Sequence, residues 1–352
     1  MISKILISFL KDHLKKPVYL IFFVTNKCNS RCEHCFFSKE LNKIEEKDLS
    51  LEEIEKFSKQ LGKLIWISLS GGEPFLREDI DEIFKIFVKN NNVEDFSIPT
   101  NGILSDKIYE KTKKMLEYAK NTSVKVFSLS LSLDGTKEVH DKIRGINCFD
   151  NVIETYNKLE KLKDEYNFFS IRLSTTLSNV NINNIEDLHK EVIKKMPRID
   201  YHNFEIIRGD PKNKFYTPPT TEDLHKIKPL LMSIYKKYNY YPNNKFASKI
   251  AFNTKEFLYD AYLKILHDKK QPFPCYAGIV HCVLGYQGDI YFCELLPKIG
   301  NIRKSTFKEI WNSEMAEKMR SFIKMRKCTC THTCFQTTNF IFNQKHWLKL
   351  LK

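Results

Sequence analysis

No stretch of this chain approaches the roughly twenty uninterrupted apolar residues that a transmembrane helix needs. The longest, Val18–Val24, stops at seven, which excludes a membrane span of that kind. The N-terminus, MISKILISFLKDHLKK, carries Asp12 and His13 where a signal peptide would stay apolar up to a small-residue cleavage site. Ten cysteines in 352 residues are too sparse for a disulfide scaffold. Nothing therefore points to secretion, and a cytoplasmic location is expected, where clustered cysteines serve as metal ligands. The chain also lacks internal repeats and low-complexity tracts. With 42% hydrophobic and 28% charged residues it has the makings of a core, which excludes wholesale disorder. Acids are outnumbered by bases, giving a formal charge of +14. That balance favours anionic partners but identifies no nucleic acid, and codon bias gives the same Lys- and Asn-rich composition.

What is present begins with an alternation of strand-like and helix-like segments. Apolar runs at Tyr19–Val24, Leu64–Leu69, Asp95–Pro99, Lys125–Leu133, Phe168–Thr176 and Tyr201–Ile207 predict strands. Between them Leu51–Leu61, Asp79–Lys89, Asp106–Ala119, Asn151–Glu165 and Ile185–Lys195 predict helices, the first with Ser50 and Glu53 as a capping box. Six strands alternating with helices imply parallel pairing and right-handed crossovers. The count suits an open, partial (β/α)6 barrel of the TIM type better than a closed eight-stranded one. After Arg208 the character changes: a loop with Gly and Pro, a helix over Thr221–Tyr238, another over about Lys255–Leu266, then a tail holding six of the ten cysteines. The expected division is an N-terminal amphipathic helix over 1–16, the barrel over 17–215, a helical connector over 216–270, a metal-organised module over 271–340 and a basic tail over 341–352.

The first cysteine group, Cys28-x3-Cys32-x2-Cys35, follows directly on the first strand, where a barrel places its chemistry. Structural zinc wants four closed ligands, and the fourth would have to be His34, squeezed between two of the others, or a distant residue. An iron–sulfur cluster accepts three thiolates if its fourth iron is kept for another ligand. After the second strand come Gly71, Gly72 and Glu73: two residues that let the backbone approach a ligand, and a carboxylate able to balance an ammonium. Thr100, Asn101 and Gly102 follow the third strand, and SLDGTKEVHDKIRG follows the fourth.

Together these elements, in order over about residues 19–208, resemble the radical S-adenosylmethionine (radical SAM) enzymes. The resemblance implies a [4Fe–4S] cluster on Cys28, Cys32 and Cys35, whose open iron SAM chelates, and a 5′-deoxyadenosyl radical formed by reductive cleavage. It further implies that Gly71, Gly72 and Glu73 receive the SAM ammonium and that Asn101 stands at the same rim. Ser132 would face the ribose, Arg144 the carboxylate, and Asp134 with Gly135 would shape the turn.

The tail has Cys275-x6-Cys282, Gly288-x4-Cys293, then Cys328, Cys330 and Cys334, and Gly288–Asp289 suits a hairpin turn. With Gly300, Asn301 and Trp311 it resembles the SPASM/twitch extension of a radical SAM subgroup. That resemblance implies one auxiliary [4Fe–4S] cluster on Cys275, Cys282, Cys293 and Cys334. The later spacing departs from the full pattern and leaves Cys328 and Cys330 unassigned, so that a second cluster would need His332, His281 or another ligand. Zinc on four of these cysteines is the competing reading. Cys148, alone at a helix start, reads as a small buried residue. Glu294, next to Cys293, resembles the general base of SPASM enzymes that oxidise a peptide alcohol or thiol. Burial beside a negative cluster is expected to raise its pKa.

Ile2, Ile5, Leu6, Phe9, Leu10 and Leu14 recur at helical spacing among lysines. That helix, and the terminal HWLKLLK, could lie on a membrane surface, but packing on the barrel is the favoured reading. From Lys298 onward twelve Lys/Arg face three acids, an excess that could guide an anionic substrate or merely offset cluster charge. The leading expectation is a cytoplasmic radical SAM enzyme of oxidoreductase type acting on a peptide or small biosynthetic substrate, with a reducing partner such as flavodoxin or ferredoxin. With 27 residues ahead of Cys28, no leader-binding domain is expected before the barrel. An RNA-modifying radical SAM enzyme is the second reading, although no RNA-binding module is recognisable. A non-catalytic metal-organised binding protein is the third; it explains the cysteines but not Glu73, Ser132 or Arg144.

Overall fold

Residues 16–44, 47–238, 245–326 and 328–343 are described in the computed structural model of the chain. The expected N-terminal amphipathic helix, up to residue 15, and the basic tail from residue 344 lie outside them.

The six apolar runs are strands: β1 (Tyr19–Thr25), β2 (Trp66–Gly71), β3 (Asp95–Thr100), β4 (Val126–Ser132), β5 (Phe169–Leu177) and β6 (Tyr201–Ile206). Their crossovers carry α1 (Leu51–Gln60), α2 (Ile80–Asn91), α3 (Ser105–Ala119), α4 (Lys137–Arg144), α5 (Phe149–Leu159) and α6 (Ile185–Lys195). Ser50 Oγ accepts from Glu53 N at 3.2 Å and Glu53 Oε2 accepts from Ser50 N at 2.8 Å, so the capping box that starts α1 is complete. Neighbouring strands pair in parallel in sequence order, and one face of the sheet buries Ile67, Leu69, Phe96, Ile98, Phe127, Leu129, Leu131, Ile171 and Leu173 in the main core with the helices. This is the open (β/α)6 arrangement; the sheet does not close.

The other face is different in kind. Ser68, Ser97, Ser128 and Ser170 stand side by side on β2 to β5, and two tiers further along Ser132, Ser174 and Asn203 do so on β4 to β6, with Ser130, Arg172 and Tyr201 in the tier between. A packed barrel fills such tiers with bulky branched residues. Serines in these two tiers make this face of the sheet polar.

After β6, α7 (Thr221–Lys237) and α8 (Lys245–Asp268) close over the β6 side. The second is longer than the sequence suggests because nothing in Ser248–Thr254 interrupts it: neither Gly nor Pro occurs, and Thr254 Oγ1 turns back to Ile250 O at 2.7 Å. The cysteine-rich segment is not a separate layer, as the division into barrel and module suggests. Its first strand, β7 (His281–Leu284), pairs in parallel with β1, and β8 (Asp289–Tyr291) and β9 (Gly300–Asn301) continue antiparallel, making nine strands in the order β6-β5-β4-β3-β2-β1-β7-β8-β9. The all-buried HCVL of β7 covers an apolar edge that would otherwise offer a row of unpaired backbone groups. The hairpin turn sits at Gly285–Gly288, with Gly288 at φ +91° and Asp289 already in the strand. Helices α9 (Phe307–Trp311), α10 (Glu314–Lys324) and α11 (Thr333–Phe342) complete the chain. Trp311 packs edge-on against Phe292, ring centroids 5.0 Å apart, and a Cβ at Gly300 would meet Ile310 at 2.8 Å.

Candidate functional site

The loop carrying Cys28, Cys32 and Cys35 leaves the C-terminal end of β1 and is held by side chains rather than by regular structure. Asn42 Oδ1 accepts from Cys28 N at 3.0 Å and Asn42 Nδ2 donates to Cys28 O at 3.1 Å. Cys32 Sγ lies 3.1 Å from Ser30 Oγ and receives Arg144 Nη1 at 3.5 Å. Burial pushes the thiol of Cys28 up to about 12 and that of Cys35 up to about 11, with Cys32 adding to both. A bound cationic cluster reverses that cost, since a coordinated thiol ionises outright. His34, buried and pushed down to about 4 by desolvation, is neutral.

Gly71 and Gly72 sit where β2 turns over this loop. A Cβ on Gly71, at φ +119°, would lie 2.4 Å from Thr25 O, and one on Gly72 would lie 2.1 Å from Lys27 O. Only glycine fits both positions. Glu73, 1% exposed, accepts from Phe75 N at 3.1 Å, Thr100 Oγ1 at 2.8 Å and Asn101 N at 2.8 Å. Burial still lifts its pKa to about 6, so an incoming ammonium would find a carboxylate short of countercharge. Asn101 Nδ2 donates to Asn29 Oδ1 at 2.7 Å and ties the cysteine loop to the end of β3.

Ser132 stands half-buried at the end of β4. Arg144 ends α4, and Gly145 behind it adopts φ +68°. Its Nη2 lies 2.7 Å from Asp134 Oδ2, with the Asp134 side chain fully buried, while its buried Nε has no hydrogen-bond partner. Asp134 Oδ1 also accepts from Thr176 N at 2.9 Å. Asp134 is therefore more than a turn former: it aims Arg144 across the site. The strand ends of β1 to β4 thus bring Cys28, Cys32, Cys35, Gly71, Gly72, Glu73, Asn101, Ser132 and Arg144 to one rim. The donor set fits a thiolate-held cluster with an ammonium- and carboxylate-bearing ligand.

Among the described residues the donors close enough for one metal ion are His140, Asp141 and Cys148. They are already engaged: His140 Nδ1 accepts from Asp134 N, and Asp141 Oδ1 accepts from Cys148 N and Phe149 N. Among the described residues no three cysteine sulfurs lie within 4.8 Å of one another.

In the tail, Cys275 and Cys293 are within electrostatic reach of each other and of Cys330, and Cys275 of Cys328 as well. Cys282 differs from the expected quartet. It faces the core from β7, opposite Leu20, and burial alone raises its thiol. Cys334 opens α11 on the side of Arg208, His332 and Lys255. Cys330 receives Gln271 and Gln336 on its carbonyl, at 3.0 and 2.7 Å.

Glu294 also departs from expectation. Burial would raise its pKa, but His332 Nε2 at 2.9 Å and Arg208 Nη2 at 3.1 Å outweigh that and hold it down at about 2. Burial and Arg208 depress His332 in turn, yet Glu294 lifts it to about 10. The contact continues inward: Arg208 Nη1 reaches Glu205 Oε2 at 3.1 Å, Asn203 Nδ2 donates to Glu205 Oε1 at 2.8 Å, and Lys255 Nζ donates to Asn203 Oδ1 at 2.8 Å. This buried polar chain from β6 to the tail was not foreseen from sequence. Its signal was the alternation of Tyr201, Asn203 and Glu205 on one face of β6. Beside it a cavity of about 170 Å³ opens between Ile207, Arg208, Tyr216, Ile265, Leu295 and Cys330.

Comparison with known proteins places these features. A family model described as the radical SAM superfamily matches residues 22–192, and one described as the SPASM iron–sulfur cluster-binding domain matches residues 275–335. The chain is 28% identical over 326 residues to an AdoMet-dependent heme synthase of Methanosarcina barkeri, covering 86% of this chain and 85% of the relative. It is 26% identical over 354 residues to a cysteine-type anaerobic sulfatase-maturating enzyme of Clostridium novyi, covering 91% and 87%. SuiB of Streptococcus suis, solved with S-adenosylmethionine bound, superposes with a TM-score of 0.61 at 17% identity, covering 91% of this chain and 72% of SuiB.

Proposed function

Because the chain belongs to the radical SAM superfamily, in the subgroup that carries a SPASM domain, we propose that it abstracts a hydrogen atom from a peptide or a small biosynthetic intermediate and completes an oxidation. Its cofactors are [4Fe–4S] clusters and SAM, as that membership implies. When bound, they supply one electron and a 5′-deoxyadenosyl radical. The observation that carries the reading is the meeting of the cysteine loop, Glu73 and Arg144 on one rim, with Arg144 against Cys32.

The chain's own residues do the rest. Cys28, Cys32 and Cys35 hold the first cluster. Glu73 takes the SAM ammonium, Gly71 and Gly72 let the backbone come close, and Asn101 fixes the loop. Arg144, aimed by Asp134, takes the carboxylate, and Ser132 the ribose. In the tail Cys275 and Cys293 hold an auxiliary cluster, with Cys334 or Cys330 completing the set and Cys282 joining only if β7 shifts. Glu294, kept ionised by Arg208 and His332, is a weak base that accepts a proton only from a strongly acidified substrate radical. The two curated relatives support both substrate classes: one is named for a heme, the other for maturing a sulfatase.

The test is the triple variant Cys28→Ala/Cys32→Ala/Cys35→Ala, reconstituted anaerobically. It should lose 5′-deoxyadenosine formation with dithionite while keeping iron in the tail. Persistent 5′-deoxyadenosine would remove the reading.

A further inference from the structure

One cysteine of the tail is surrounded by side-chain amides. Cys330 lies just ahead of α11, and its carbonyl accepts from Gln271 Nε2 at 3.0 Å and from Gln336 Nε2 at 2.7 Å. The same two nitrogens stand 3.8 and 3.6 Å from the Cys330 sulfur. Gln336 Nε2 also donates to Gln271 Oε1 at 2.9 Å, so the two amides brace each other. Neither can be turned round: a carbonyl only accepts, so both side chains must present nitrogen to Cys330. That orientation leaves Gln336 Oε1 buried without a hydrogen-bond partner, which costs stability.

The neighbouring thiol is treated in the same way. Asn339, one turn beyond Gln336 on α11, accepts from Tyr276 N at 2.7 Å. Its buried Nδ2 has no oxygen or nitrogen partner, and Asn339 favours the ionised form of Cys275 beside it. Cys275 and Cys293 are both within electrostatic reach of Cys330. Cys334 is placed otherwise, its charge being felt by the cations of Arg208 and Lys255. Three amide side chains, none more than 5% exposed, thus present N–H groups to two thiols that lie together. A neutral thiol is a weak acceptor and gains little from such donors. An iron-bound thiolate carries charge that they stabilise.

We propose that Cys330 is a ligand of the auxiliary cluster and that Gln271 and Gln336 are its positioning residues, holding the Cys330 backbone and donating N–H···S bonds that raise the cluster's reduction potential. Asn339 does the same for Cys275. This rests on the SPASM reading of the tail and deepens it. The direction follows from charge: the donors draw negative charge from sulfur, and reduction adds an electron, so the reduced state gains more from them than the oxidised one. Neutral amides do this without taking up or losing a proton of their own.

The tail is read alone in the full-length Cys28→Ala/Cys32→Ala/Cys35→Ala chain after anaerobic reconstitution. Adding Cys330→Ala should strip the tail of iron. Gln336→Leu and Gln271→Leu should each keep the iron but lower the midpoint potential, in a titration followed by electron paramagnetic resonance, by about 60 mV, a tenfold change in a one-electron equilibrium. A measurement with both glutamines in place guards against variants that fail to fold: with nitrogen-15 in the glutamine side-chain amides, the reduced tail cluster should show a hyperfine coupling to that nucleus. Full tail iron in the Cys330→Ala chain, an absent coupling, or unchanged potentials in variants that keep their iron each overturns the proposal. A tail that takes up no iron overturns it as well. Persistent 5′-deoxyadenosine in the triple variant counts against the proposed function alone, whereas normal 5′-deoxyadenosine formation by the parent protein beside unchanged tail potentials counts against this inference alone.

Discussion

Asp134→Asn isolates the charge that aims Arg144. Asparagine keeps the shape, and its carbonyl can still accept from Thr176 N, so only the ion pair is lost. The two groups are 2.7 Å apart, with side chains 0% and 9% exposed. At an effective dielectric of 20 their attraction is about 6 kcal/mol, and the desolvation of two ions, several kcal/mol each, cancels most of it. The intact pair is therefore close to neutral for stability, but stranding Arg144 is expensive: about 3–5 kcal/mol. The Cys32 sulfur at 3.5 Å relieves part of this and favours the lower end of that range. Urea unfolding of the reconstituted protein, followed by circular dichroism without SAM, should show that loss for Asp134→Asn. The double variant Asp134→Asn/Arg144→Met should recover most of it, because both charges are gone. The pH sign follows. Burial raises the Asp134 pKa, but Arg144, His34 and His140 outweigh it and the net shift is downward. Its contribution is complete above the unfolded value of about 3.9 and is lost as pH falls through the lower folded value. An Asp134→Asn loss below about 1 kcal/mol, as for an exposed pair, or a double variant as unstable as the single, would refute the reasoning.

Three further outcomes are expected. Glu73→Gln should weaken SAM binding roughly 10- to 100-fold in equilibrium dialysis, because it removes the charged half of a buried contact. Gly72→Ala drives a Cβ into Lys27 O, whose carbonyl also accepts Glu73 N at 2.8 Å; a loss of about 1–3 kcal/mol in unfolding, with weakened SAM binding, should follow. Glu294→Gln should leave iron content and 5′-deoxyadenosine formation intact but slow product formation by about 10²-fold, measured once a substrate is in hand; an unchanged rate makes Glu294 the clasp of Arg208 and His332 alone.

The barrel was legible because its signals are local. Apolar runs, the Ser50–Glu53 box and glycines at strand ends each act over a few residues, and the rim residues follow from strand order. What was hidden depends on contacts between distant segments. The pairing of His281–Leu284 with β1 cannot be read from four apolar residues. The clasp of Glu294 by Arg208 and His332 reversed an expectation drawn from burial alone, because its partners lie 86 and 38 positions away in sequence. Lys255 looked like one more helical lysine until β6 supplied Asn203 and Tyr201 beneath it.

The seam between β1 and β7 has a consequence for how the molecule is made. Tyr19 finds its partner His281 only after some 260 further residues have been synthesised. Until then one edge of YLIFFVT, the most apolar strand of the sheet, stands unpaired, a template for association with other chains. The late arrival of HCVL both completes the sheet and silences that edge. A chain cut short before His281 should therefore fail first by aggregation, and the loss of iron–sulfur chemistry would be secondary to it.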